Sequence, residues 1–165
     1  MAARTVHWST ELPTDAARVW AALQHTEPFL YVCRGLLGFP ALAGRTEPFT
    51  VGERGRGWVF AFHVLPAYRH TIEVLEIDDA TRTIRTHESG GVLQRWDHTL
   101  HVDEIDGRRC RYSDTIVIDA GALTPLAAAV ASCIFLYRQR RWHRLVRNQL
   151  LPEGPRYRLP VVAAD

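Results

Sequence analysis

The chain has 165 residues, of which 47% are hydrophobic and 23% are charged, proportions typical of one globular domain. Its formal net charge is only +2, so no overall electrostatic field favours a nucleic-acid partner. The sequence contains no lysine, which excludes a lysine Schiff base or a lysine general base. Three widely spaced cysteines without a CxxC pair indicate reduced thiols, and the first residues lack the apolar core of a signal peptide. These features predict a cytoplasmic protein.

One strand, two short helices and then a series of strands are predicted in chain order. Residues Arg4–Leu12 alternate between apolar and polar side chains, as in a strand with one buried face. Thr14 is expected to cap a first short helix, and Pro28 to open a second that stops at Gly35. Residues 40–47 are predicted to form a loop. Turn signals about every 8 to 12 residues then indicate an antiparallel sheet, with strands over residues 48–53, 57–64, 69–77, 83–88, 93–104 and 109–119.

The longest predicted element is a helix from Thr124 to Leu150. Thr124 suits the N-cap and Pro125 the first helical position. At 1.5 Å per residue this helix would be roughly 39 Å long, so it needs an extended surface on which to bury its apolar side. That side is predicted to consist of Leu126, Val130, Ile134, Tyr137 and Leu145, with Cys133 and Val146 beside them. The expected fold is α+β: one domain over residues 1–150, in which a curved seven-stranded antiparallel sheet wraps around the last helix, and an extended tail over 151–165.

A membrane anchor is an alternative interpretation of part of this helix. Residues 120–137 form a stretch of eighteen residues without a charge, followed by arginines. A span needs about 20 strongly apolar residues, whereas this stretch contains Pro125 and Ser132 and is rich in alanine. A helix buried in a globular protein is the preferred interpretation.

Strand alternation predicts an inner face lined by aromatic and aliphatic side chains. Such a lining with a few polar groups is typical of a small-molecule pocket, although plain core packing accounts for most of its members. The residues expected to contact a ligand are Trp58, Phe60, Phe62, Trp96, Leu100, Tyr112 and Ile116 from the strands, and Val130, Ile134, Tyr137 and Arg138 from the helix.

The register of the last hairpin decides which polar groups meet on that face. A two-residue turn at Asp106-Gly107 would place His98 opposite Thr115 and set an apolar face beside a polar one. A three-residue loop over residues 105–107 instead places His98 opposite Asp114, and we predict this loop.

His98 and Asp114 are the candidate catalytic pair. A buried carboxylate raises the pKa of a neighbouring imidazole and orients its ring, as in a general base or a proton shuttle. The alternative is a structural pair, or one that anchors Arg138 or Arg141 of the helix. Glu88 also points inward by alternation, but at a strand end it is expected to be solvated.

Other classes of site are disfavoured. His98 and His101 lie three apart on a strand and so on opposite faces, and no spacing of His, Cys or carboxylates resembles a metal site. Neither a metal nor a cofactor is predicted, because the phosphate- and dinucleotide-binding motifs are missing from the sequence. The arginines of Arg138–Arg147 predict either a solvated helix end or weak contact with a membrane surface. RNA binding lacks both an RNA-binding motif and stacking platforms.

Three segments carry a family resemblance: Arg95-Trp96-Asp97-His98, Tyr112-Ser113-Asp114-Thr115 and Phe135-Leu136-Tyr137-Arg138. Together with the order of elements over about residues 4–150, they resemble the START/Bet v 1-like helix-grip superfamily (SRPBCC, polyketide cyclase/dehydrase-like). The resemblance implies a hydrophobic cavity between sheet and helix that holds lipids, polyketides, sterols or similar molecules. Some relatives cyclise or dehydrate polyketides and many only bind and carry, and no catalytic residue of a relative is carried over to this chain.

Three functions are therefore open. The first is binding or transport of a small hydrophobic ligand, without catalysis. The second is a cyclase- or dehydratase-like acid–base enzyme that uses His98 and Asp114. The third is an interaction module whose arginine-rich helix end contacts a membrane surface or a partner. The identity of the ligand and the oligomeric state are left open.

Overall fold

The computed structural model describes residues 2–151. Within them, seven strands form one antiparallel sheet with the order β1-β7-β6-β5-β4-β3-β2, and three α-helices pack against it. The elements are β1 (Arg4–Leu12), α1 (Ala16–Leu23), α2 (Thr26–Cys33), β2 (Leu37–Gly38), β3 (Arg54–Ala61), β4 (Leu65–Asp78), β5 (Thr83–Gly90), β6 (Leu93–Asp106), β7 (Arg109–Asp119) and α3 (Thr124–Arg147). The expected helix-grip architecture, two short helices after the first strand and a sheet around a long C-terminal helix, is confirmed.

The two short helices begin at other residues than predicted. Asp15 is the N-cap of α1, and its carboxylate accepts the backbone N–H of Arg18 at 2.9 Å. Thr14 precedes it and is not the cap. Helix α2 begins at Thr26 and has Pro28 inside its first turn, a position that proline tolerates because the N–H there has no helical partner.

The second strand is also not where it was predicted. Residues 48–53 form a loop, and the seventh strand of the sheet is instead the short β2, which pairs with the end of β3. The loop is fixed by backbone bonds that no alternation pattern reveals: Phe49 donates to the carbonyl of Gln24, and Gly52 to the carbonyl of Val74. Because β2 has only two residues, it is too short to show a period in the sequence.

The β6–β7 hairpin has a different register from the predicted one. Ile105 is bulged and a two-residue turn at Gly107–Arg108 closes the hairpin, so Asp106 pairs with Arg109. His98 consequently lies opposite Ile116, and Leu100 lies opposite Asp114. The difference of two residues leaves every side chain on its predicted face, since strand side chains alternate with period two.

The inner face of β3 is the opposite of the predicted one. Val59 is buried, whereas Trp58 is 45% exposed on the outer face, where Arg69 of β4 stacks over its ring at 5.8 Å. Gly57 shares the inner face with Val59, and a Cβ there would lie 2.7 Å from the Cβ of Ala41. Phe62 projects into solvent because β3 ends at Ala61 and Phe62 adopts a left-handed conformation at the hairpin tip.

Helix α3 buries a different face from the predicted stripe over its first half, whereas Leu145 of that stripe is buried as predicted. Leu123 is its N-cap and Thr124 its first residue, although the Thr124 hydroxyl still ties down the helix start by accepting from Ala120 and donating to the Gly121 carbonyl. Leu126 and Val130 are exposed, the latter by 50%. The buried positions are Thr124, Ala128, Ala131, Phe135, Arg138, Gln139, Trp142 and Leu145.

Alanines explain this choice of face. Ala128 and Ala131 are small enough to let the first half of α3 lie close against Ile116 and Ile118 of β7, and the ring of Phe135 stacks on Trp8 of β1 at 5.0 Å. Together with the turn before it, the helix is long and apolar enough to cross a membrane by length and composition. In this structure its inner side is packed on the sheet.

The predicted domain limits and tail stay a prediction. Leu151, expected to begin the tail, is buried with the core, and residues 152–165 lie outside the described residues.

Candidate functional site

A cavity of about 110 Å³ lies between the sheet, the two short helices and the second half of α3. Most of its wall is apolar and comes from Ala22, Leu23, Phe29, Val32, Val74, Ile84, Leu100 and Trp142. Six polar side chains interrupt this wall: Thr86, Glu88, His98 and Arg138 on the side of β5, β6 and α3, and His25 and Glu53 elsewhere in the lining. The volume is below the roughly 150 Å³ of an apolar cavity that takes up benzene, so it limits a guest to about one ring.

Strand pairing brings the polar groups together. Thr86 of β5 lies directly opposite His98 of β6, and both point inward by alternation. Glu88 follows two residues after Thr86 on the same face, and its Oε1 accepts the Thr86 hydroxyl at 2.7 Å. The polar side of the cavity is therefore held by two central strands rather than by loops.

His98 joins two buried carboxylates. Its Nε2 lies 2.8 Å from Oδ1 of Asp114, reached across the diagonal of the strand pair, and its Nδ1 lies 3.7 Å from Oε1 of Glu88. The same Asp114 oxygen accepts the hydroxyl of Tyr112 at 2.7 Å. On the other side, Oε2 of Glu88 lies 2.7 Å from Nε2 of His70. These residues, His70, Glu88, His98, Asp114 and Tyr112, form one chain of contacts that we call the acid–imidazole network.

The network favours the protonated form of His98. Burial alone would lower the pKa of His98, but the carboxylates of Asp114 and Glu88 outweigh it and raise that pKa. Burial alone would raise the pKa of Glu88, but the hydrogen bonds and charge of His70 and His98 hold it well below its usual range. Burial and the neighbouring Asp114 raise the pKa of Tyr112, which stays a neutral donor. With Arg138 included, the two carboxylates face one arginine and two imidazoles.

Arg138 is the second cation of the site. Its side chain is on α3, lines the cavity and is only 5% exposed. The guanidinium lies between two rings, with its carbon 4.5 Å from the centroid of Phe135 and 5.6 Å from that of Phe29. Burial disfavours its charge, yet the nearby Asp114 raises the pKa of Arg138 above its ordinary value. Its Nε has no hydrogen-bond partner among the described residues.

The structure separates the predicted site residues into three groups. His98, Leu100 and Arg138 line the cavity. Asp114, Tyr112 and Ile116 are fully buried behind that wall, and Trp96 packs near the Phe135 ring at 6.2 Å. The others lie elsewhere: Trp58, Phe62 and Val130 are exposed, Ile134 is half-buried on α3, Tyr137 donates to the carbonyl of Arg34 at 2.8 Å, and Phe60 lines a separate groove.

Several residues of the site were missed or misjudged. Glu88 was expected to be solvated, but β5 continues to Gly90 and Glu88 is buried between two histidines. His70 was not predicted as a site residue. The one signal that could have identified it is its alternation with Ile72 and Val74, which puts it on the inner face of β4. Phe29 and Trp142 lacked any periodic signal that pointed to a cavity.

A wider groove of about 610 Å³ lies on the other side of α2. It is lined by α2, β2 and the turn after β2, including Tyr31, Leu37, Phe39 and Phe60. The ring of Phe39 in the groove and the ring of Phe29 in the cavity wall are in contact, with centroids 4.9 Å apart. This aromatic pair therefore separates the groove from the cavity. Among residues 2–151, no three His, Cys, Asp or Glu side chains are grouped so as to hold a metal ion.

Solved structures share this architecture. A START superfamily protein from Mycobacterium smegmatis superposes with a TM-score of 0.66 at 10% identity, over 88% of this chain and 98% of its own. The Zhui aromatase/cyclase from Streptomyces sp. R1128 does so with a TM-score of 0.64 at 14% identity, over 92% and 98%. Norcoclaurine synthase from Thalictrum flavum gives 0.61 at 13% identity, over 89% and 96%. These likenesses confirm the START/Bet v 1-like fold.

Sequence comparison adds one match. Residues 10–147 match the family described as a domain of unknown function (DUF8410). No curated protein matches the sequence at a significant level.

Proposed function

The chain belongs to the DUF8410 family, and from its interior we propose that it binds a small, largely apolar molecule in the cavity between the sheet and α3. The observation that carries the proposal is the wall itself: aliphatic and aromatic side chains from six helices and strands converge on one space, with a few polar groups among them. A chain that needed only a packed core would fill such a space, because protein interiors are close-packed.

The size of the cavity restricts the ligand. Typical pockets for drug-sized molecules have volumes of about 300–1,000 Å³, whereas this one has about 110 Å³. A sterol or a multi-ring polyketide therefore exceeds it, and a single-ring aromatic or a short branched chain is the size class we propose. Structural neighbours such as the Zhui aromatase/cyclase support small-molecule binding on this fold without fixing the ligand.

The test is a binding measurement with a blocked cavity. Small single-ring probes titrated into the protein should shift the methyl resonances of Val74, Ile84 and Leu100, and leave those of the exposed Leu126 unchanged. Val74→Phe, which adds a ring inside the wall, should abolish these shifts. Leu75→Phe is the matched control, because the neighbouring side chain points out of the same strand and is exposed. Equal binding by both variants would refute the site.

The acid–base enzyme is a second proposal, favoured by one observation: His98 lines the cavity and is held by a buried carboxylate. Only one nitrogen of its ring is available to a substrate. Nε2 is bound to Asp114, whereas Nδ1 lies 3.7 Å from Glu88, beyond hydrogen-bond distance. A raised pKa also favours a general acid over a general base. Turnover of a bound compound that is lost in His98→Gln, with binding retained, would support the enzyme over the carrier.

Membrane-surface contact through Arg138–Arg147 stays a prediction, and the structure narrows its residues. Arg138 is buried in the cavity wall, and Arg141 stacks on the Tyr31 ring and donates to the Tyr31 carbonyl at 3.0 Å. Arg140, Arg144 and Arg147 are exposed and can meet anionic lipid. Liposome binding that falls with salt would support this contact. We also propose a cytoplasmic location, in keeping with free thiols at Cys33, Cys110 and Cys133.

A further inference from the structure

One side chain of the cavity wall has a nitrogen without a hydrogen-bond partner among residues 2–151. Arg138 is 5% exposed, and its Nε is buried without a hydrogen-bond acceptor among the described residues. A buried donor to which water has no access costs free energy unless an acceptor satisfies it. The two flanking rings of Phe29 and Phe135 supply an electrostatic contact to the guanidinium but no acceptor oxygen.

We infer that the ligand carries a neutral oxygen acceptor, such as a carbonyl, that accepts a hydrogen bond from the Arg138 guanidinium. This inference rests on the proposed function, because it concerns the same cavity. Its ligand class is a single apolar ring or short chain with one carbonyl at its end. The remaining wall, built from side chains such as Leu23, Val32 and Leu100, takes the apolar part.

Charge balance favours a neutral acceptor over a carboxylate. Glu88 and Asp114 already place two negative charges beside the cavity, next to Arg138, His98 and His70, and Glu53 of the same wall is paired with Arg45. A ligand carboxylate would add a further negative charge beside these buried carboxylates, and buried charges that are not well paired are strongly disfavoured. A carbonyl satisfies the donor and leaves the balance unchanged.

The competing explanation is internal. Oδ2 of Asp114 is also buried without a partner among the described residues, and a water held between it and Arg138 would satisfy both groups. In that case the cavity would have no preference for an acceptor. The two explanations differ in one measurable quantity, the affinity ratio of two molecules that match in shape and differ only in the acceptor.

Toluene and benzaldehyde are such a pair, with benzoate as the charged third probe. The absence of lysine removes side-chain amines that would condense with the aldehyde. Dissociation constants are measured by methyl NMR or calorimetry on the whole protein. Benzaldehyde should bind about ten-fold or more tightly than toluene, since a hydrogen bond to a charged group is strong, and benzoate should bind more weakly than benzaldehyde.

The outcomes separate the two proposals. Equal affinity for toluene and benzaldehyde would overturn the acceptor inference and leave the cavity function intact. If none of the three probes binds, the proposed function itself fails. Benzoate as the tightest probe would overturn the neutral-acceptor assignment. In Arg138→Met, which keeps an unbranched apolar stem and removes the donors, the preference for benzaldehyde should disappear or reverse; a preserved preference would also overturn the inference. If this variant does not fold, the ratio of the wild-type affinities for benzaldehyde and toluene tests the inference on its own.

Discussion

Asp114→Asn is the sharpest test of the buried charges. Asp114 is fully buried, and one of its oxygens accepts hydrogen bonds from His98 at 2.8 Å and from Tyr112 at 2.7 Å. Asparagine keeps the shape and one acceptor oxygen but removes the charge that faces Arg138 and His98. Removing one partner of a buried ion pair costs about 3–5 kcal/mol. Because asparagine retains part of the hydrogen bonding, we expect a loss near the lower end, about 3 kcal/mol.

A loss of this size is large for a single domain, whose total stability is about 5–15 kcal/mol. It should lower the melting temperature by roughly 6–12 °C in a protein of this length. Thermal and urea unfolding followed by circular dichroism measure both quantities. Asp103→Asn is the matched control: Asp103 pairs with His101 at 2.8 Å on the same strand, but that pair is exposed to solvent and should contribute less than about 1 kcal/mol.

The effect should depend on pH with a defined sign. The folded pKa of His98 lies above its unfolded value of roughly 6.5, so its stabilising contribution is complete below that value and is lost as the pH rises through the folded pKa. The stability difference between the wild type and Asp114→Asn should therefore narrow at alkaline pH, and an NMR titration should find a lower pKa for His98 in the variant. Equal losses of stability in Asp114→Asn and Asp103→Asn, or an unchanged pKa of His98, would refute the role assigned to the acid–imidazole network.

Three further predictions concern other parts of the molecule. Glu88→Gln should destabilise the protein at neutral pH and make its stability fall less steeply as the pH is lowered. The folded pKa of Glu88 is depressed, so its stabilising contribution is present above roughly pH 4.3 and is lost as the pH falls. Acid unfolding identical to that of the wild type would contradict the burial of Glu88 between histidines. Phe135→Ala should cost about 3–5 kcal/mol, whereas Leu136→Ala, at the exposed neighbouring position, should cost much less in the same urea titration; similar losses would show that the buried face of α3 is assigned wrongly. In the native protein a thiol reagent should modify the exposed Cys133 rapidly and the buried Cys33 only after unfolding, since burial raises the pKa of Cys33 to about 11. Mass spectrometry counts the modified thiols. Rapid modification of more than one thiol in the folded protein would contradict this packing.

Strands with one polar face could be predicted from the sequence, and strands with two apolar faces could not. In β7 the alternation of Tyr112, Asp114 and Ile116 with polar residues identified the inner face, and that face is buried. In β3 apolar side chains stand on both faces, so alternation could not decide between Trp58 and Val59. The decisive facts were Gly57, which allows close approach of Ala41, and the stacking of Arg69 on the outer ring.

The helix and the hairpin show two further limits. Size mattered more than hydrophobicity on α3: the face with alanines approached the sheet, and the face with Leu126 and Val130 did not. In the last hairpin the bulge at Ile105 changed the partner of His98 without changing its face. The contact between His98 and Asp114 was nevertheless anticipated, because a histidine side chain also reaches its diagonal neighbour. Glu88 and His70 joined them through contacts between strands that no pattern within one strand encodes.

The buried charges also restrict how this chain can diverge. A substitution that removes the charge of Glu88, His98, Asp114 or Arg138 leaves an opposite charge buried without its partner. The protein with that single substitution is less stable until a second substitution compensates for it. Descendant sequences should therefore either retain the quartet whole or exchange it jointly for uncharged side chains of similar volume. The exposed pair of His101 and Asp103 on β6 carries no such constraint, so the residues at these two positions should vary independently among descendant sequences.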